Sequence, residues 1–163
     1  MKTTFLKICG FILLLAIIGI GCNKEAETTG FVEGYIVGSF VSDLVNKETG
    51  QATGSKTHRG YCILLTDSKN ANTPWPMDFY AFELPGDPID FPANILSTLY
   101  NGSNCGPTFF PDNLRNSYKI RFQYQNSTEA EKIKFVNGCT AMDMSFPWEN
   151  FHQITIKNIE TNR

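Results

Sequence analysis

A mainly β, single-domain fold is what this chain of 163 residues predicts, and three observations predict it. Several short stretches alternate apolar and polar side chains with a period of two, the spacing of a half-buried strand. Segments rich in Gly, Pro, Asn, Ser and Thr separate them, as turns and loops do. Apolar residues make up 42% and aromatics 13%, enough for a packed core and against wholesale disorder. The length suits one such core and hardly two.

The first segment is an address. Lys2 and Lys7 give a positive start, and the run from Phe11 to Ile20 is apolar and uncharged. That run is short for a membrane span, which needs about 20 residues. Residues 1–21 therefore read as a secretory signal peptide. Residues 22–30 follow as a flexible tether, polar from Asn23 to Gly30. Residues 31–163 form the domain. Removing residues 1–21 takes two of the 14 basic residues and none of the 16 acidic ones, so the formal charge goes from −2 to −4. That acidic balance gives no footprint for nucleic acid.

Strands follow in order. Residues 31–42 are β-rich, with Gly34 and Gly38 inside, which predicts a bend or a close approach. Residues 60–66 read as a short buried strand. Residues 78–84 alternate, with Tyr80, Phe82 and Leu84 on one face. Then comes one short helix: Phe91, Ile95, Leu96, Leu99 and Tyr100 fall on one helical face. Asp90 caps it, Pro92 fits its first turn, and Asn101-Gly102 ends it.

The cleanest strand is 117–124. Tyr118, Ile120, Phe122 and Tyr124 face one side, Lys119, Arg121 and Gln123 the other. Residues 131–136 repeat the pattern, with Ile133 and Phe135 inward and Lys132 and Lys134 outward. Residues 153–159 carry Ile154 and Ile156, then slip at Ile159, as at a bulge. Stretches 44–58, 67–77, 101–116 and 138–151 read as loops, long for so small a domain. Three strands, a helix and three strands is the order of an OB-like β-barrel. A two-sheet β-sandwich and a lipocalin-like barrel are the alternatives.

Gly19-Ile20-Gly21-Cys22 resembles the lipobox of bacterial lipoproteins, with Gly19 where the family usually has leucine or another aliphatic residue. The resemblance implies cleavage before Cys22 and attachment of diacylglycerol, with palmitate-class acyl chains, to its thiol. Two or three such chains make a stable anchor. Asn23 is not the aspartate of the inner-membrane retention signal, so an outer-membrane address is implied, periplasmic or surface-exposed. Lys24-Glu25-Ala26-Glu27 is similar to acidic export tags on some surface-displayed lipoproteins.

The body, over about residues 31–160, is similar to small bacterial lipoproteins of unknown function with an OB-like barrel. The matching stretches are Gly60-Tyr61-Cys62, Phe82-Glu83-Leu84-Pro85, Tyr118 to Tyr124, and Ile154 to Ile156. This implies a fold and an address, and no activity.

Of five cysteines, Cys9 leaves with the signal and Cys22 takes lipid. Cys62, Cys105 and Cys139 remain, and an oxidising envelope favours pairing two of them. The favoured pair is Cys62 with Cys139, which closes a long loop; all three pairings stay open. The third cysteine is then a buried thiol, an intermolecular bridge or a nucleophile. His58, four residues before Cys62, is a candidate base. In a strand the two stand roughly 13 Å apart. His152 has no evident partner. No metal is expected, because the chain lacks Cys-x-x-Cys, His-x-x-x-His and EF-hand patterns. Asp87 and Asp90 are two carboxylates where calcium takes about six to eight oxygens. Asp143 and Glu149 flank Phe146-Pro147-Trp148 as a possible carboxylate pair. Phosphate loops and nucleophile elbows are missing, and no cofactor is expected.

Three Pro-flanked aromatic loops stand out: Trp75 between Pro74 and Pro76, Phe110 before Pro111, and Phe146-Pro147-Trp148. A stiffened ring is a good platform for a protein or glycan partner. The same rings also suit a plug over the barrel core. The expected function is a non-enzymatic, lipid-anchored binding module of the cell envelope. Trp75, Trp148, Phe110 and Phe146 are its candidate contacts. The alternatives are an envelope enzyme using Cys62 or a carboxylate pair, and a structural subunit of an outer-membrane complex.

Overall fold

Two glycines allow neighbouring backbone to press against the first strand. A methyl group on Gly34 would come within 2.7 Å of the Leu64 carbonyl oxygen, and one on Gly38 within 2.7 Å of the Thr108 carbonyl oxygen. The computed structural model describes residues 30–97, 106–136 and 146–161, with the side chains of 55–57 left aside. The signal segment, Cys22, Leu99, Tyr100, Cys105, Cys139 and Asp143 lie outside the described residues.

The first strand, β1, is Val32–Val45, and β2 is Ala52–Leu65. Then come β3 (Phe79–Ala81), β4 (Thr108–Phe109), β5 (Lys119–Asn126) and β6 (His152–Thr161). β1 pairs antiparallel with β2, β2 with β3, β5 with β6, and β1 with β5. β3 pairs parallel with β6, at Phe79↔His152 and Tyr80↔Gln153. That pairing closes a five-stranded ring, β1-β2-β3-β6-β5 and back to β1. The ring is a small OB-like barrel. β4 lies beside β1 at Gly38 and Ser39, outside the ring.

β5 shows which face is interior. Ile120 and Phe122 are buried, while Arg121 ion-pairs with Glu160 at 2.8 Å and Lys119 with Glu33 at 2.7 Å on the outer side. Ile36, Ile63, Ala81, Ile154 and Ile156 fill the same interior. Along β6 the register passes from Gln123↔Asn158 to Tyr124↔Ile156, so Lys157 is an extra residue. This bulge is the slip read before Ile159. A matching irregularity between Ile36 and Gly38 leaves Ile36 in the interior and Val37 in a second cluster.

That second cluster covers the outer face of β1, β2 and β3. Val37, Phe40, Cys62, Leu64 and Tyr80 supply its floor, and Met77, Phe146 and Trp148 its roof, with Phe135 and Phe151 packed alongside. These strands are therefore buried on both faces. A doubly buried strand reads as a continuous apolar run, as in Tyr61-Cys62-Ile63-Leu64-Leu65.

Four expectations need correction. The stretch from Phe91 to Ser97 is a turn, not a helix, with Ile95 N–H donating to the Pro92 carbonyl at 3.1 Å. Ser97 explains why: its N–H donates to Ser39 Oγ (2.8 Å) and its carbonyl accepts from Arg59 Nη1 (2.8 Å), so both groups are taken by the barrel. Phe91, Ile95 and Leu96 still pack against the interior cluster. Secondly, 44–58 is not a loop: it holds the end of β1 and the start of β2, joined through a tight turn. Asn46 Oδ1 accepts from Glu48 N–H (2.8 Å) and Thr49 N–H (3.1 Å), and Gly50 has φ +69°.

Thirdly, 131–136 makes one bridge instead of a strand, Phe135 against Leu44. The Gln153 side chain takes both backbone groups of Ile133 in place of a neighbouring strand. Fourthly, β3 ends at Ala81, so the alternation stops before Leu84. Leu84 joins the interior, while Tyr80 and Phe82 lie with the outer cluster. No helix among the described residues is long and apolar enough to cross a membrane.

Candidate functional site

The loop between β2 and β3 is braced from its own end. Asp78 Oδ2 accepts from Leu65 N–H (2.8 Å), and Oδ1 accepts from Ser68 Oγ (2.6 Å) and Asn70 Nδ2 (2.9 Å). The same Asn70 amide donates to the Met77 carbonyl at 3.0 Å. Ser68 caps a 3₁₀ turn at Lys69–Asn72 by accepting from Asn70 N–H. These bonds join the two ends of the loop without burying an unpaired carboxylate.

Trp75 sits at the outer end of this brace. Its carbonyl accepts from Met77 N–H (2.8 Å) and from Thr73 Oγ1 (3.0 Å). Pro74 and Pro76 fix φ on either side, and Met77 is fully buried beneath. Trp75 is 39% exposed, and it is the exposed large hydrophobic residue among the described residues. Its ring meets Phe146 edge-on, 5.9 Å between centroids at 74°. Phe146 in turn stacks on Phe151, 5.5 Å apart at 21°. The ring is thus packed against Phe146 on one side and partly open to solvent.

The other three candidate rings are not on the surface. Trp148 is 6% exposed and lies among Phe40 (4.7 Å), Phe146 (4.7 Å), Phe135 (5.0 Å) and Tyr80 (5.2 Å). Its indole Nε1 is buried without a hydrogen-bond partner in the described structure. Phe146 is buried as the roof's hinge between Trp148 and Trp75. Phe110 is buried in the barrel interior against Tyr118 and Phe91. These three rings cover or fill the core, the other role that the sequence left open for them.

Cys62 is a free thiol with no exposed surface, and its expected partner Cys139 lies outside the described residues. Its side chain lies on the outer face of β2 beneath the roof. Burial pushes its pKa far above the usual thiol range, so it stays protonated. His58 lies four residues away on the same strand, which at the strand rise is about 13 Å. The arrangement gives neither a thiolate nor access to one. Cys105 and Cys139 lie outside the described residues, as does Asp143, so the pair it makes with the exposed Glu149 has no described geometry. Asp87 and Asp90 are exposed; Asp87 sits in the turn after Gly86 with φ +43°. No group of three metal-ligating side chains occurs among the described residues.

Asp78, Asn70 and Gln153 are the residues that sequence reasoning passed over. Each acts through a backbone group far along the chain, and no local pattern marks that. Compared with known protein families, with curated proteins and with solved structures, the chain shows no match.

Proposed function

We propose that this protein is a lipid-anchored binding module of the cell envelope, held to the outer membrane through Cys22 and making contact through Trp75. One observation carries the binding part: a rigidly seated, solvent-facing indole on a folded barrel. A large ring fixed before contact loses little entropy on binding, which is what favours it as an anchor. The lipobox-like Gly19-Ile20-Gly21-Cys22 supports the anchor. The nine residues from Cys22 to Gly30 reach at most about 30 Å when extended, so the module works close to its membrane. An enzyme built on Cys62 is disfavoured by the depth of that thiol.

The test uses a photoreactive amino acid in place of Trp75 in the full chain, with Glu48 on the distal turn as the control position. A discrete adduct at position 75 and none at 48 supports the binding reading; equal labelling or no labelling overturns it. Intact mass of the membrane-extracted protein reads the anchor separately. Acyl mass on Cys22 supports it, and an unmodified Cys22 removes it.

A further inference from the structure

We infer that Cys105 and Cys139 form a disulfide across the outer edge of β1, an inference that rests on the exported address above for its oxidising surroundings. Both cysteines lie outside the described residues, and the described chain beside each of them sets their reach. β2 occupies one edge of β1, and both flanks come to the other. There β4 runs antiparallel, with Phe109 opposite Gly38 and Thr108 opposite Ser39. Phe135 bridges Leu44 in the same antiparallel sense. Val136 N–H donates to the Asp43 carbonyl (2.9 Å), and its own carbonyl accepts from Ser42 Oγ (2.7 Å). Followed backward from Phe109 to Thr108, the chain heads toward Asp43. Followed forward from Phe135 to Val136, it heads toward Ser39.

Ser39 and Asp43 are about 13 Å apart at the strand rise. Cys105 stands three residues before Thr108 and Cys139 three after Val136, so each lies within about 10 Å of its anchor. The two reaches overlap, with room for the Cα separation of about 4.4–6.8 Å that a disulfide takes. Gly106, next to Cys105, adds a second tie: a methyl group on it would come within 2.8 Å of Phe146 Cβ, and Phe146 follows Cys139 by seven positions. Cys62 is the thiol left over, free and fully buried beneath Met77, Phe146 and Trp148. The bond forms by exchange with a small-molecule or protein disulfide of the envelope. The two thiols give up two protons and two electrons, the S–S bond of that oxidant breaks, and it leaves as two thiols.

The test is a peptide map of the purified full-length protein, equilibrated with oxidised and reduced glutathione, alkylated in denaturant without reduction and cut with trypsin. Cleavage after Arg59, Lys69, Arg115, Lys134 and Lys157 puts the three cysteines on separate peptides, 60–69, 70–115 and 135–157. The expected result is peptide 70–115 linked to 135–157, with Cys62 alkylated on 60–69. Cys62 in a bridge, or Cys105 and Cys139 both alkylated, overturns the inference. Melting supplies a second reading. Cys105→Ser and Cys139→Ser should each lower the melting temperature by about 5 °C or more, and the double variant should fall no further. A double variant that falls by the sum of the two overturns the pairing. The same map on membrane-extracted protein separates the two readings: acyl mass on Cys22 with both thiols alkylated keeps the address and removes the disulfide, whereas a linked pair that glutathione alone produces, with Cys22 unmodified, removes the address and keeps the pairing.

Discussion

The ring of Phe40 lies over the backbone of Gly60, so close that a methyl group on Gly60 would come within 2.1 Å of Phe40 Cζ. The ring has no room to yield, because Tyr80, Phe82, Phe135 and Trp148 surround it at 4.7–6.0 Å. Gly60→Ala is therefore expected to destabilise by about 1–3 kcal/mol, the cost of overpacking a filled core. Phe40→Leu in the Gly60→Ala background should recover part of that loss, and denaturant titration of the double-mutant cycle reads the coupling. Additive losses would show that the two residues do not compete for the same space.

The two tryptophans should behave as opposites. Trp148→Ala removes a buried ring and is expected to cost about 3–5 kcal/mol. Trp75→Ala touches an exposed ring and should cost well under about 1 kcal/mol. Iodide should quench the Trp75 emission and leave that of Trp148 largely untouched. A large stability loss from Trp75→Ala would make that ring part of the core.

Cys62 should resist alkylation in the native protein and react once the protein unfolds. Its burial also gives an alkaline signature. The folded thiol has a raised pKa, so the native state keeps a proton that the unfolded chain releases above about pH 8.5. That contribution is full below the unfolded pKa and falls by up to about 1.4 kcal/mol per pH unit above it. Tyr61 and Tyr80, raised by burial as well, steepen the fall above about pH 10. Melting between pH 8 and 10 in Cys62→Ala should be flatter than in the parent protein.

Gln153 acts as a surrogate strand for Ile133. Its side chain accepts from Ile133 N–H at 2.6 Å and donates to the Ile133 carbonyl at 3.0 Å while buried. Gln153→Ala leaves both backbone groups without these partners, at a cost of about 1–3 kcal/mol. Amide exchange should accelerate at Ile133, and at Val136, whose N–H donates to the Asp43 carbonyl, while β5 stays protected. Gln153→Glu retains the acceptor and loses the donor, so it should fall between the two.

Legibility followed environment. β5 was readable because one face meets the core and the other meets water, the arrangement that period two describes. The start of β2, Ala-Thr-Gly-Ser, was not, since it carries no apolar side that marks a strand and its partner is β1. Phe91, Ile95 and Leu96 have helical spacing and do reach the core, but Ser97 spends its backbone groups on Ser39 and Arg59. The two tryptophans look alike in sequence, each beside proline. What separates them is Phe40, Tyr80 and Phe135, distant residues that enclose Trp148 and leave Trp75 outside.

The parallel pairing of β3 with β6 has a consequence for how the molecule is assembled. Two register pairs, Phe79↔His152 and Tyr80↔Gln153, join segments more than seventy residues apart. Contacts of such long range pay their loop-closure entropy before they return any stability. The β1–β2 hairpin forms from adjacent sequence, whereas this seam waits for the last strand to be made. Until then β3 and β5 each have an open edge where β6 will lie. The seam is thus where a growing chain becomes a barrel.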